Sequence, residues 1–379
     1  MKTVTLKKFV IIFIIALGVM TIAANAQVGN TRYGTSAYPS FTGGGNSAFG
    51  AYALYSNTSG NYNTALGTAA LYLNTSGSHN TAVGRWSQYN TISATSNTSL
   101  GAMSLYGNNY GVENTSVGTN SMQRNTWGSY NVAVGMNALT WSTSGHFNTA
   151  NGSYALFNNS TGSDNTGAGS YALYSNSTGS DNTGLGMYAL YYNTGTANTA
   201  VGSSALLGNQ GGSYNTVVGY SSGGGITNGS NNTIIGARVT GLPTSLNNTI
   251  ILADGAGNQR LVIDNTGKAK IGSASLTTPG SYKLYVETGI LTEKVVVAIA
   301  NSIDWADYVF APEYRLTPLT DVAKFVKENR HLPNVPSATE VVKNGVNLAA
   351  MDAKLLEKIE ELTLYIIELE NRISSLEKK

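Results

Sequence analysis

Cysteine is absent from the 379 residues, which excludes a disulfide framework, thiolate metal sites, a cysteine nucleophile and a lipid-anchored N-terminal Cys. Charge is scarce as well. Charged residues make up 11% and His numbers 3, against about 25% charged in an average domain, so acid–base chemistry has few carriers. The net charge of +2 creates no field that would gather nucleic acid or an anionic membrane. What the chain holds instead is 44 Gly, 23 Tyr and 41% hydrophobic residues. That composition belongs to a packed chain with many turns, not to a disordered one.

Residues 1–26 read as an export signal. Lys2, Lys7 and Lys8 precede an apolar run from Phe9 to Thr21, and Ala24-Asn25-Ala26 supplies an A-x-A cleavage site. The alternative is an uncleaved anchor, but the run is shorter than the ~20 residues that span a bilayer. The mature chain then begins near Gln27 outside the cytoplasm. Charge divides the remainder: residues 28–252 carry only Arg32, Arg85, Glu113, Arg124, Asp164, Asp181 and Arg238, and residues 253–379 are charge-rich. The expected organisation is a signal (1–26), a repeat region (27–252), a junction with a small mixed segment (253–346) and a coiled coil (347–379).

The repeat region carries an N-[ST]-x-x-G pattern starting at Asn30, Asn46, Asn63, Asn80, Asn97, Asn114, Asn131, Asn148, Asn165, Asn182, Asn198, Asn215, Asn232 and Asn248. Val132 replaces the Ser or Thr in one unit, and Leu252 replaces the Gly in the last. The interval is 17 residues from Asn46 to Asn182 and 16 or 17 elsewhere. A unit reads N-T-A-V-G-x-x-A-L-Y-x-N-T-S-G-x-x. Its fourth position is usually large and apolar, as in Phe49, Leu66, Val83 and Val201; its eighth is small, as in Ala53, Ser87, Ala155 and Ala172; leucine usually follows. Glycine and Asn-Thr-Ser clusters break helices at this frequency. The fold class expected is therefore an all-β repeat, a β-solenoid or β-roll with two short strands and two turns per coil and a thin interior. It would be followed by a small mixed α+β junction and a C-terminal coiled-coil helix. Stacked coils rise ~4.8 Å each and bring Asn and Thr into ladders. A coil this narrow buries little apolar area, which favours lateral association of chains.

The N-T-A-V-G motif followed by A-L resembles the head repeats of trimeric autotransporter adhesins and related bacterial surface fibres. The resemblance covers residues 30–252 and implies parallel β-rolls that trimerise about a common axis, with an adhesive or surface-structural role. The unit here is longer, and its Asn–Gly spacing one residue shorter, than the common adhesin form.

Past the repeats, Arg260–Asp264 and Lys268–Ile271 flank an Asn265-Thr266-Gly267 turn and read as a hairpin. Tyr282–Val286 and Val295–Ala298 are further strand candidates. A helix is expected from Thr317-Pro318, with Val322, Phe325 and Val326 on one face, ending before Pro333. Leu348–Glu377 lacks Gly and Pro and reads as one helix. Heptads place Ile359, Ile366 and Ile373 at a, with Leu355, Leu362, Leu369 and Leu376 at d. Ile at a with Leu at d favours two strands. In contrast, Arg372-Ile373-Ser374-Ser375-Leu376-Glu377 resembles the R-h-x-x-h-E signature of short trimeric coiled coils. The trimerisation residues are thus Ile359, Leu362, Ile366, Leu369, Arg372, Ile373, Leu376 and Glu377, the alternative being a helix packed on its own domain. Residues 283–379 also resemble C-terminal regions of secreted tail-fibre-like proteins, without a motif for the self-cleaving chaperone that ends some of those fibres and without a β-barrel anchor.

Several motifs look chemical and are by-products of the repeat. Gly219-Tyr220-Ser221-Ser222-Gly223 matches G-x-S-x-G without a helix to follow. Gly167-Ala168-Gly169-Ser170-Tyr171-Ala172 matches the dinucleotide fingerprint without a βαβ unit. His79 and His146 lie four coils apart, too far to share an ion. Asp164 and Asp181 share a position on adjacent coils, and two carboxylates fall short of calcium's six to eight ligands. No catalytic, cofactor or metal site is expected. The aromatic stripe is the candidate surface: Tyr55, Tyr72, Tyr89, Tyr106, Phe157, Tyr174 and Tyr191 at the tenth position, flanked by Tyr52, Trp86, Tyr154, Tyr171 and Tyr188 at the seventh. It reads either as ladder stacking or burial between chains, or as a surface for a host or environmental glycan or protein. The expectation is a non-enzymatic, secreted or cell-surface homotrimer with an adhesive or structural role. The alternative is a phage tail-fibre or tailspike-like protein that degrades glycans or processes itself.

Overall fold

A strand of three residues recurs once in every coil, and its burial shows why the repeat is spaced as it is. The computed structural model describes residues 29–39, 43–273, 275–278, 280–297 and 305–378; the proposed signal lies outside them. Fourteen strands, β1 (Thr31–Tyr33) through β14 (Ile250–Ala253), stack in parallel, one per coil. From β2 onward the second residue of each strand points inward, as Ala65 does, and its neighbours Thr64 and Leu66 point out; in β1 the corresponding Arg32 is exposed. The expected second strand per coil does not form. The seventh and ninth residues of a unit, such as Tyr154 and Leu156, take left-handed φ values of 59° and 50°, which interrupts extended geometry. Those sides of the coil are still bonded to their neighbours: Tyr154 N donates to Met136 O (3.0 Å) and Leu156 N to Ala172 O (2.9 Å). Left-handed leucines are uncommon; here the conformation turns the side chain into the core.

Two lanes of buried asparagine run through the stack. In the first lane Asn63 takes its backbone N–H to Asn46 Oδ1 (2.9 Å) and its Nδ2 to the same oxygen (3.1 Å) and to Gly77 O (2.8 Å). Every polar atom of that amide is used, and the arrangement repeats up to Asn232. The second lane, at the twelfth position, links Asn74 Nδ2 to Asn57 Oδ1 (2.8 Å) and Gly77 O (3.0 Å). Two lanes of glycine leave little room for a side chain, although Ala94 and Leu246 stand in the one beside the asparagines. A Cβ on Gly162 would lie 2.2 Å from Gly179 O and 2.5 Å from Asn159 Oδ1; on Gly101, with φ +138°, it would lie 2.5 Å from Gly118 O. The last unit corrects one reading of the sequence. Thr249, not Asn248, takes the ladder position, its N–H reaching Asn232 Oδ1 (3.1 Å), and Asn248 is the left-handed corner before it. Counted so, Ala253 and not Leu252 stands in the Gly position, and Leu252 is the outward apolar residue of its strand.

The interior is narrow: alanine at the third and eighth positions and leucine at the ninth are fully buried, as in Ala65, Ala70 and Leu71. Tyr38 fills the leucine position of the first coil, and its hydroxyl donates to Gly43 O (2.9 Å). Between Ala82 and Leu105 the apolar core is divided in two by a polar plug. Gln88 replaces leucine, donating through Nε2 to Ser99 Oγ (2.9 Å) and Thr81 O (3.0 Å), and Ser87 meets Ser99 at 2.5 Å.

After the last parallel coil the sheet reverses. β15 (Gln259–Ile263) pairs antiparallel with β14, and β16 (Ala269–Ile271) antiparallel with β15, forming the expected hairpin. β17 (Leu284–Val286) adds parallel to β16. Val295–Val297 form no strand, and Ala298 lies outside the described residues. Asp254 accepts from Asn258 and from Arg260 at 2.6 Å, and these bonds hold its carboxyl far below the usual carboxylate range.

Residues from Ile290 onward form a second compact unit. It contains a 3-10 turn (Ala306–Phe310), α1 (Leu319–Asn329), α2 (Ala338–Asn344) and α3 (Leu348–Glu377). α1 stops at Arg330, whose φ of 63° is left-handed, ahead of Pro333 as expected. α3 covers the expected thirty residues, with Asn347 as its N-cap.

Candidate functional site

Because alternate strand residues face out, position along the unit decides what the surface offers. The second and fourth positions form parallel lanes of threonine and aliphatic side chains. Leu66, Leu100 and Ile235 are 49%, 50% and 46% exposed, so a line of apolar groups, broken at Asn151, stands open along the sheet. Scattered apolar exposure is ordinary, but an extended line marks a surface that meets something.

The tenth-position residues stack into two ladders. Ring centroids are 5.2, 4.9 and 5.2 Å apart along Tyr55–Tyr72–Tyr89–Tyr106, and 5.1 and 5.0 Å along Phe157–Tyr174–Tyr191, with planes within 8° of parallel. Tyr154, Tyr171 and Tyr188 form a third ladder beside the second, 5.0 and 5.3 Å apart. This spacing matches the rise of stacked coils. Stacked rings cover one another's faces, so the body of a ladder presents edges and hydroxyls. Only a ring at a ladder's end has a free face. Burial raises the Tyr191 phenol above its ordinary value, and neighbouring Tyr174 and Tyr192 add to it.

The first ladder ends at Tyr106, because the next coil has Gln123 in the lane. Gln123 turns aside, its Nε2 placed 3.5 Å from both Met103 Sδ and Asn120 Oδ1. Gly107 leaves the adjoining lane empty between Asn90 and Arg124. The result is a surface recess of about 390 Å³ lined by Asn90, Tyr106, Gln123, Arg124, Thr126 and Thr143. The Arg124 guanidinium lies 3.9 Å over the Trp141 ring. Consensus reading of the repeat passes over this place, since it is made by departures from the unit: glutamine for an aromatic, glycine for a side chain, and one of the few charges in the region.

In the second unit, α3 uses two faces differently. One face packs on its own unit. Tyr308 donates to Glu357 Oε2 (2.6 Å), Tyr314 to Glu361, and Tyr365 to Thr317 O. Lys358 donates to Glu357 (2.7 Å) and Glu361 (2.8 Å). The hydrogen bond to Glu357 pushes the Tyr308 phenol up to about 12, and burial with the bond to Glu361 pushes Tyr314 higher. Burial opposes charge on Glu357 and Lys358, but their mutual bonds win: the carboxyl sits below and the ammonium above its ordinary value. The heptad face is largely open, with Leu362 and Leu369 also edging grooves against Thr317 and Leu319 of the same unit. Ile359, Leu362, Ile366, Leu369, Ile373 and Leu376 are between 49% and 69% exposed, and Arg372 and Glu377 form no ion pair among the described residues.

The remaining chemical motifs sit apart. Glu113, Asp164, Asp181 and His79 occupy the exposed last position of their units; His146 Nδ1 accepts from Ser129 N (3.1 Å). Ser221 follows β12 (Thr216–Val218) but leads into another coil, not a helix. Among the described residues no three His, Asp or Glu side chains gather as a metal site, and no helix is long and apolar enough to cross a membrane. Compared with family models, curated proteins and solved structures, the chain matches none.

Proposed function

We propose that the chain is a secreted or cell-surface, non-enzymatic fibrous protein that assembles as a homotrimer and serves an adhesive or structural role. One observation carries the assembly. α3 spends its Glu357, Lys358, Glu361 and Tyr365 face on its own unit and leaves an unbroken seam of Ile and Leu uncovered. Such a seam is closed by equivalent helices in a coiled coil. The aliphatic lane on the solenoid supports the same reading, since identical chains present identical lanes. Export rests on the N-terminal sequence, and the resemblance of the repeats to trimeric autotransporter adhesin heads supports the adhesive role.

Beads coated with the mature chain test the role. Adhesion to glycan- or matrix-protein-coated surfaces above that of beads carrying an unrelated protein is the expected result. Adhesion no greater than that control, on any such surface, overturns the adhesive reading.

A further inference from the structure

The break in the aromatic ladder brings together the elements of a ligand site. Tyr106 is covered by Tyr89 on one face only, with ring planes 8° apart. Its other face looks toward the next coil, where Gln123 has turned away and no ring continues the stack. Across the space left by Gly107 stands Arg124, which pairs with no carboxylate among the described residues and rests over the Trp141 ring at 3.9 Å. Asn90, Thr126 and Thr143 complete the rim; the Thr143 hydroxyl donates to Ser160 O (3.0 Å) and keeps its accepting side. An aromatic platform, an amide and hydroxyls are what a sugar ring needs: apolar C–H groups against a π face and polar partners at the edge. A fixed guanidinium adds selectivity for a planar anion such as carboxylate, which it binds through two parallel hydrogen bonds.

We propose that this recess binds a uronic acid residue of an acidic polysaccharide, its ring on Tyr106 and its carboxylate on Arg124. The volume of about 390 Å³ falls in the range of small-molecule sites. The inference rests on the adhesive reading for its biological sense, and it specifies the ligand class and place. Its binding is weak at one site and gains strength from several identical chains held together.

Titration of the mature chain with a tetramer of galacturonic acid, followed by tryptophan fluorescence, tests it, with the neutral galactose tetramer in parallel. The acidic probe should change Trp141 emission, because engaging Arg124 alters its contact with the indole; Trp141→Phe should remove the signal. Arg124→Gln should weaken binding by about tenfold or more, the loss of one charged hydrogen-bonded contact. Gln123→Tyr is the sharper variant. It continues the ladder, covers the free face of Tyr106 and should abolish binding while the chain stays folded by circular dichroism. Equal binding of the neutral tetramer, or unchanged binding by Gln123→Tyr, overturns the proposal. The two readings fail separately: a Gln123→Tyr chain whose beads adhere normally removes this site as the adhesive one, whereas wild-type beads that do not adhere leave a saccharide site without an adhesive role.

Discussion

At the scale of single residues the asparagine lanes locate where the rod is weakest. The twelfth-position lane is interrupted by Thr91 and Ser142, and the coil before each interruption has an orphaned oxygen: Asn74 Oδ1 and Asn125 Oδ1 are buried without a partner. Thr91 Oγ1 and Ser142 Oγ are unpartnered too. Restoring the lane with Thr91→Asn and Ser142→Asn should supply those bonds and raise stability by about 1 kcal/mol each; a lower denaturant midpoint for both variants would show that the lane does not work this way. Alanine at the eighth position was legible from the sequence as an inward, tightly confined site, and Ala155 and Ala172 are fully buried. Ala172→Leu should cost on the order of 1–3 kcal/mol by overpacking, while Asp164→Leu at an exposed corner should change little. Thermal unfolding of the two variants compares them directly. The polar plug was not legible in this way. Gln88 reads as an ordinary lapse from leucine, and its role depends on Ser99 in the next coil, twelve residues from Ser87, which no local pattern connects.

At the scale of elements, periodicity served where one rule acts alone and failed where backbone conformation intervened. The hairpin after Arg260 and the long helix α3 follow from turn residues and heptads. The second strand of each coil does not form because left-handed seventh and ninth residues replace it, a choice imposed by coil closure that strand propensity does not encode. α2 was missed although Ser337 and Glu340 carry a complete capping box, Glu340 N donating to Ser337 Oγ (3.2 Å) and Ser337 N to Glu340 Oε2 (2.8 Å); seven residues give too little periodicity to reveal it. The buried Glu357–Lys358–Glu361 group fixes which face of α3 docks. Lys358→Met would strand two carboxylates and should destabilise this unit by about 2 kcal/mol at pH 7. The sign of the acid response follows from Glu357. Its carboxyl is held below 4.5 in the folded chain, so its contribution is present above that pH and lost as pH falls through the folded value. Lys358 is raised, so its contribution holds below its ordinary value of 10.5 and is lost as pH rises through the folded one. Melting followed by the helical signal, which belongs to this unit among the described residues, should therefore show acid sensitivity in the parent chain that is blunted in Lys358→Met. An unchanged acid limb would assign the docking to other contacts.

At the scale of the whole molecule the repeat creates a problem of register. Coils that share Asn, Ala and Leu at equivalent positions recreate most of their contacts when one chain slides past another by a single unit. Lateral association of such rods needs a segment that does not repeat, and α3 is the segment with an open apolar seam. The seam's residues were legible from heptad spacing; that its opposite face would be consumed by Tyr308, Tyr314 and Thr317 was not, because those partners lie roughly fifty residues away in sequence. Ile366→Asp with Leu369→Asp places two charges in the seam, where burial would be prohibitive, and touches none of the α3 side chains that bond to the chain's own unit. The direct measurement is the molar mass of the purified protein and of this double variant by light scattering. The account predicts three chain masses for the parent and a single chain or ill-defined aggregates for the variant. A monomeric parent, or a variant that remains an orderly trimer, would contradict it.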